Sequence, residues 1–467
     1  MTISMQAWRT HFAPDAIARA FREAVVAMLA MLATLGCTMA LAPEPGPGVL
    51  AVVLSLSFSR SHLDRDMRGR IEAAIALPLV ALVAVGVGGL LHHVRWIGAA
   101  VFVAGLSLPI WMRRFGPAIR RGGSLIALPF VALLTTPYIP PRHLSPTLAM
   151  LVPVIVALLA LVWVAVFQSA ARHLGILPSA NRKTSVAKVT APAQASPLKP
   201  QASTRMALQM AVALAVSFAI GYLVFPQRWA WIVLTAFIVN SGNRGRLDVA
   251  YKSVLRVVGA GAGTCIALTA TVHIDQPLVA IALILGAIFL GLWLRPLGYA
   301  WWALFVTLAL ALLQGLGGHP AEGVLWPRLE EILIGAIVGV ASAWFVYPVP
   351  SSLVLRRRLA DALAVLSEAL DPAIPERSAE PFIAALDNLE QIAPAFRASR
   401  RFTRHKVQPA DWIDALAACG PSAVAVIERG ETPASLRKAV GTARKALREP
   451  EALLPALQEI RQALSPS

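Results

Sequence analysis

Charged side chains are scarce in this chain: Asp, Glu, Lys and Arg make up 14% of its 467 residues, where a water-soluble protein carries about a quarter. The shortage excludes a large soluble enzyme with a hydrated surface. Cysteine is scarcer still. Cys37, Cys265 and Cys419 lie far apart, so neither a disulfide framework nor a thiolate metal site can be drawn from them. His92 with His93, and His273 with Asp275, are too sparse for metal ligation by spacing. No Ser/His/Asp or Cys/His arrangement stands out, so the chain is not read as an enzyme, and no cofactor or metal is expected.

What is abundant is apolar. Hydrophobic residues make up 57% of the chain and the mean hydropathy is +0.66. They fall in windows separated by Arg clusters, which is the pattern of many membrane-spanning helices in a lipid bilayer. The net charge of +17 invites a nucleic-acid reading, so its distribution matters. Residues 1–348 hold 26 Lys/Arg against 11 Asp/Glu, a balance of +15, and the remaining tail is at +2. Concentrated in short loops of the apolar part, the excess reads as a positive-inside signal, with attraction of anionic substrates as a second role. No nucleic-acid partner is expected.

Six apolar windows cover residues 24–42, 49–58, 71–91, 94–112, 124–138 and 146–167, and six more cover 206–225, 229–239, 254–272, 277–294, 299–316 and 329–347. Ala40 and Ala42 resemble a signal-peptide cleavage pattern, but the first window is long and Pro43 follows, so it is read as a retained helix. Between the sets, residues 171–204 are polar, carry Pro192, Pro197 and Pro200, and read as a flexible linker. Placing both termini in the cytoplasm puts Arg60/Arg65/Arg68/Arg70, Arg113/Arg114/Arg120/Arg121, the linker and Arg244/Arg246/Lys252/Arg256 inside. Only Arg95, Arg142, Arg228 and Arg328 then face out.

The two sets look like copies, most clearly at WMRRFG (111–116) and WLRPLG (293–298). Because each has an even number of spans, the copies share orientation and are related by an axis along the membrane normal. From residue 350 onward, stripes such as Leu355, Leu359, Leu363, Leu366 and Leu370 predict a helical cytoplasmic tail. It has no glycine loop with Lys to cradle phosphate. The expected fold class is all-α: a polytopic membrane protein with six-span repeats over 1–170 and 205–348, a linker over 171–204 and a helical domain over 349–467.

The second window of each copy is too short to cross roughly 30 Å of hydrocarbon. Such segments either break at a binding site or lie tilted and locally shielded. Ionisable groups near apolar windows are the other candidates, since a charge in hydrocarbon is costly. Arg256 precedes VVGAGAGT, whose Gly259, Gly261 and Gly263 let a backbone or a ligand approach. Its guanidinium is read as an anion contact, or as an arginine snorkelling at the cytoplasmic boundary. Arg70 is the weaker counterpart in the first copy. Glu330 and Glu331 open the last window and are read as proton-exchanging carboxyls, or as acids favoured at a helix start. Trp231 begins the short eighth window and is followed by Thr235 and Asn240. These three could hold an aromatic acid, or Trp231 could belong to an interfacial belt.

RWAWIVLTAFIV (228–239), GNRGRLD, KSVLRVVGAGAGT (252–264) and RLEEILIGAIVG (328–339), in this order and spacing, resemble the fusaric acid resistance (FUSC-like) inner-membrane proteins, which include the aromatic acid exporters. The resemblance covers most of 205–348 and, more faintly, the first copy, where 145–150 lack the acidic pair. It implies export of aromatic or other hydrophobic organic acids, small organic anions driven out by the proton gradient, beside a periplasmic adaptor protein and with homo-oligomers as a further expectation. Plant malate channels look similar in their six-span units, which keeps a passive anion channel as an alternative. A non-transporting membrane scaffold is the other. By this resemblance Arg256 matches the basic position before the glycine-rich helix, Trp231 and Thr235 the short-span motif, and Glu330/Glu331 the acidic position.

Overall fold

The computed structural model describes residues 14–59, 67–115, 130, 134, 146–177, 201–271, 276–316, 321–374, 377–403 and 407–464; the side chains of 14–15, 67–77, 146–150, 271, 315–316 and 321–325 lie outside that description. Among the described residues the regular structure is entirely helical. The chain divides into two compact units.

The first unit runs to residue 181 and takes in 200–241 and 252–347. It contains α1 (Pro14–Leu41), α2 (Pro45–Phe58), α3 (Met67–His93), α4 (Arg95–Met112), α5 (Pro146–His173), α6 (Ala202–Val224), α7 (Trp229–Asn240), most of α8 (Arg246–Thr271), α9 (Pro277–Leu294), α10 (Tyr299–Leu316) and α11 (Ala321–Phe345). Prolines start α2 and α9, where the missing amide donor is no loss. Side chains on these helices are apolar nearly all round, which suits elements surrounded by lipid and by one another. Of the window at 124–138 only Phe130 and Leu134 are described, both helical and buried. The linker expected between the repeats lies largely outside the described residues.

Seven described helices are long and apolar enough to cross a membrane. Six belong to this unit: α1, α4, α5, α6, α8 and α9. The helices α2 and α7 are apolar but shorter, and the described side chains of α3 (78–93) and α10 (299–314) are likewise apolar. At 12 residues, α7 is about 18 Å long, well under a bilayer core.

The packing follows a crossed pattern. Within the first half α1, α2 and α5 pack together, and within the second α6, α7 and α11 do the same. Between the halves, α4 packs on α6 and α9 packs on α1, so the fourth helix of each half lies against the first helix of the other. Aromatic rings fill both seams. Phe102 meets Phe218 with centroids 5.4 Å apart, and the Tyr222 hydroxyl donates to the Arg95 carbonyl at 3.2 Å. Across the other seam Phe21 meets Trp293 at 5.2 Å, and the Trp293 indole donates to the Ile17 carbonyl at 3.3 Å.

Of the described residues, the second unit takes in 242–251 and those from 348 onward. Its helices are α12 (Ser351–Ala369), α13 (Glu380–Glu390), α14 (Ala393–Arg400), α15 (Pro409–Glu428), α16 (Ala434–Ala446) and α17 (Pro450–Leu464). The stripe Leu355, Leu359, Leu363, Leu366 and Leu370 is buried in one core with Phe382, Trp412, Leu416, Val440 and Leu457. By length and composition α15 could also cross a membrane, but Ile413, Leu416, Cys419, Ala423 and Ile427 are buried in this core. Arg397 and Arg400 both pair with Asp414, at 2.8 and 3.0 Å. The segment 242–251 is held here by backbone bonds: Leu247 donates to the Ser351 hydroxyl at 2.9 Å and Arg246 to the Val349 carbonyl at 3.2 Å.

Candidate functional site

Two glycine stripes set the second half's geometry. On α11, a Cβ added at Gly335 would lie 2.5 Å from the Ile232 carbonyl oxygen of α7, and one at Gly339 would lie 3.0 Å from the Asn240 amide. On α8, a Cβ at Gly259 would lie 2.5 Å from the Ala300 carbonyl oxygen, and Gly263 abuts the Leu304 carbonyl of α10. The stripe after Arg256 therefore admits a neighbouring backbone at Gly259 and Gly263, while Gly261 faces open space.

This close packing gathers charges into apolar surroundings. Arg328 of α11 is 2% exposed. Its guanidinium carbon lies 3.8 Å from the Trp231 ring centroid, and Nη1 donates to the Gln314 side-chain carbonyl of α10 at 3.3 Å. Glu331 is fully buried, with Oε1 3.3 Å from Nε of the half-exposed Arg228. Neither Glu331 oxygen meets hydrogen-bond geometry with a donor. Arg256 of α8 is 3% exposed. It donates a side-chain hydrogen bond to Tyr299 of α10 and lies within electrostatic reach of Arg328. The Nε atoms of Arg256 and Arg328 are buried with no acceptor. An unpaired buried charge costs several kcal/mol, and ionisable groups placed this way in membrane helices mark pathways.

Several sequence expectations change against this geometry. Glu330 and Glu331 do not open a helix, because α11 begins at Ala321; they sit in its third turn, beyond reach of the N-terminal dipole. Only Glu331 turns inward, and Glu330 is exposed. Arg256 likewise lies ten residues inside α8 and is buried, which removes the snorkelling reading. Trp231 is half-buried beneath Arg328, so its ring serves a cation within the protein. Thr235 is buried against Gly335 with its hydroxyl unpartnered. Asn240 is committed to helix contacts: its amide donates to the Ala236 and Gly339 carbonyls at 3.0 and 3.4 Å, and its carbonyl accepts from Ser342 at 3.5 Å. Arg70 lies in α3, but its side chain is outside the described residues.

Arg328 and Gln314 were not among the sequence candidates. The sequence signal was the i, i+3 spacing of Arg328 and Glu331 on one helix, obscured because a lone arginine outside reads first as a topology marker. The first half has no such cluster among the described residues. Where α7 and α11 bury charge, α2 and α5 bury Leu54, Phe58, Val152, Val156 and Val164.

The whole site, from Arg228 to Glu331, falls inside residues 209–342, which match the family described as fusaric acid resistance protein-like. The second half carries a FUSC-like domain. The chain is a multi-pass membrane protein in which the FUSC-like domain runs from within α6 to within α11. No curated protein and no solved structure matches the chain.

Proposed function

We propose that the protein exports aromatic or other hydrophobic organic acids across a bacterial inner membrane, as a 12-span transporter of two parallel six-helix repeats with both termini in the cytoplasm. Arg256 and Arg328 hold the carboxylate, with Trp231 and the Thr235 hydroxyl beside them. Glu331 is the group through which protons drive the cycle. The single observation that carries this reading is the buried guanidinium of Arg256, with an unused donor, in a glycine-packed membrane helix of the FUSC-like domain. A carboxylate accepts from such a donor far more strongly where water is excluded. A periplasmic adaptor and self-association are compatible partners of this activity.

The test is flux from proteoliposomes loaded with benzoate, with and without an imposed pH gradient. Gradient-dependent efflux lost in Arg256→Gln supports the proposal. Efflux that ignores the pH gradient and follows voltage alone selects a passive anion channel. No efflux under either condition, in vesicles containing folded protein, overturns transport.

A further inference from the structure

The charges gathered in the second half do not balance. Arg228 and Arg328 lie beside the buried carboxylate of Glu331, and Arg256 lies within electrostatic reach of Arg328. The half-exposed Arg228 is the group within 4 Å of that carboxylate. Gln314, the partner of Arg328, is neutral, and so is Tyr299, the partner of Arg256. Glu330, the next acid along α11, is exposed. Arg295 lies near Tyr299 and adds further positive charge. Among the described residues neither buried guanidinium has a carboxylate in ion-pair contact, although Glu331 lies within electrostatic reach of Arg328, and each has a buried, unused Nε donor.

Unused hydroxyls lie along the same helices. Thr264 is eight residues beyond Arg256 on α8, and Thr307 is eight beyond Tyr299 on α10, so each shares a face with the residue two turns earlier. Both threonine hydroxyls are buried without partners. Gln314 continues that α10 face seven residues on, where it meets Arg328. Small residues separate these polar groups: Ala260, Gly263 and Ala267 on α8, Ala303 and Ala311 on α10. The stripe is buried and polar, and its two guanidinium groups lie within electrostatic reach of one another. Buried polar groups and charges are normally compensated, and a ligand with one negative charge would leave one of the two guanidinium groups still uncompensated.

We propose that Arg256 and Arg328 together form a binding site for an organic dianion, a molecule whose two carboxylates engage one guanidinium each. This deepens the transport reading and rests on it, because it names the charge of the cargo at the same arginines. Arg328 is the second anchor, pre-oriented by Trp231 beneath it and Gln314 beside it.

The experiment compares dicarboxylates with monoanions of the same shape. Phthalate, isophthalate and terephthalate are titrated at pH 8 against their monomethyl esters and benzoate, using thermal stabilisation of the full-length protein in detergent at low salt. One of the three dianions binds at least tenfold more tightly than its monoester, and Arg328→Gln or Arg256→Gln removes that preference. The wild-type comparison needs no variant, so a misfolded substitution leaves the proposal exposed to refutation. Equal or tighter binding of every monoester overturns it; benzoate efflux from proteoliposomes then still supports export of monoanions. Binding of none of the seven compounds, with no benzoate efflux, overturns both.

Discussion

The guanidinium of Arg328 lies 3.8 Å from the ring centroid of Trp231, joining the first turn of a short helix to the third turn of the last membrane helix across almost a hundred residues of sequence. A planar cation on an indole face is held in orientation without being neutralised. The charge remains available to a ligand.

Trp231→Leu keeps much of the bulk and removes the π face. It should cost about 2 kcal/mol, the scale of a desolvated cation–π pair, and should weaken substrate binding. Trp231→Phe, which keeps a ring, should lose less. Thermal denaturation in detergent together with initial efflux rates gives both readings, and equal values for the two variants would dismiss the stacking role.

Backbone contact at the glycines makes a position-specific prediction. Gly335→Ala and Gly259→Ala place a methyl 2.5 Å from a carbonyl oxygen of the facing helix, so each should destabilise by about 1 to 3 kcal/mol. Gly261→Ala meets nothing within 4 Å and should be neutral or stabilising by up to about 1 kcal/mol. Melting temperatures of the three variants test the order.

Glu331→Gln preserves shape while removing the charge that lies 3.3 Å from Arg228. Under the proposed mechanism, efflux by this variant no longer responds to an imposed pH gradient, whereas Glu330→Gln, altered at an exposed position, behaves as the parent. Gradient-dependent efflux surviving in Glu331→Gln removes the carboxyl from the proton path.

Burial raises the Cys419 thiol to about 11, because a thiolate is poorly solvated inside the tail domain's core. With Cys37 and Cys265 replaced by serine, maleimide should label the native protein very slowly at pH 7.5 and rapidly in urea. The native rate should climb as pH approaches 11. The folded state holds its proton above the ordinary thiol range, so this site's contribution to stability is complete below about pH 8.5 and falls as pH rises from there towards 11. Fast native labelling at pH 7.5 would show that the core opens.

The apolar windows told most about helix existence and least about where helices begin. Residues 277–294 and 299–316 are helical over the expected lengths, because proline or a glycine turn precedes each and the apolar run ends with the helix. By contrast α8 and α11 each start eight residues before their windows. Asp248 suits the first turn of a helix and Lys252 is a good helix former, so hydropathy marks where lipid begins. Arg256, Trp231 and Glu331 were visible as unusual residue types in apolar context. Their convergence on Arg328 was not, since Gln314 and Trp231 reach it only through tertiary packing. Asn240 misled for a related reason: an amide near a helix end reads as a ligand until its hydrogen bonds to Gly339 and Ser342 are known.

The crossed seating of α4 on α6 and of α9 on α1 means that neither half possesses a finished wall. Each would expose, if made alone, the flank that the other half ordinarily covers. Fusion into one polypeptide guarantees a one-to-one match of two unlike partners, a greasy buttress on one side and the electrically loaded member on the other. Two loaded members, or two buttresses, never meet inside a single molecule.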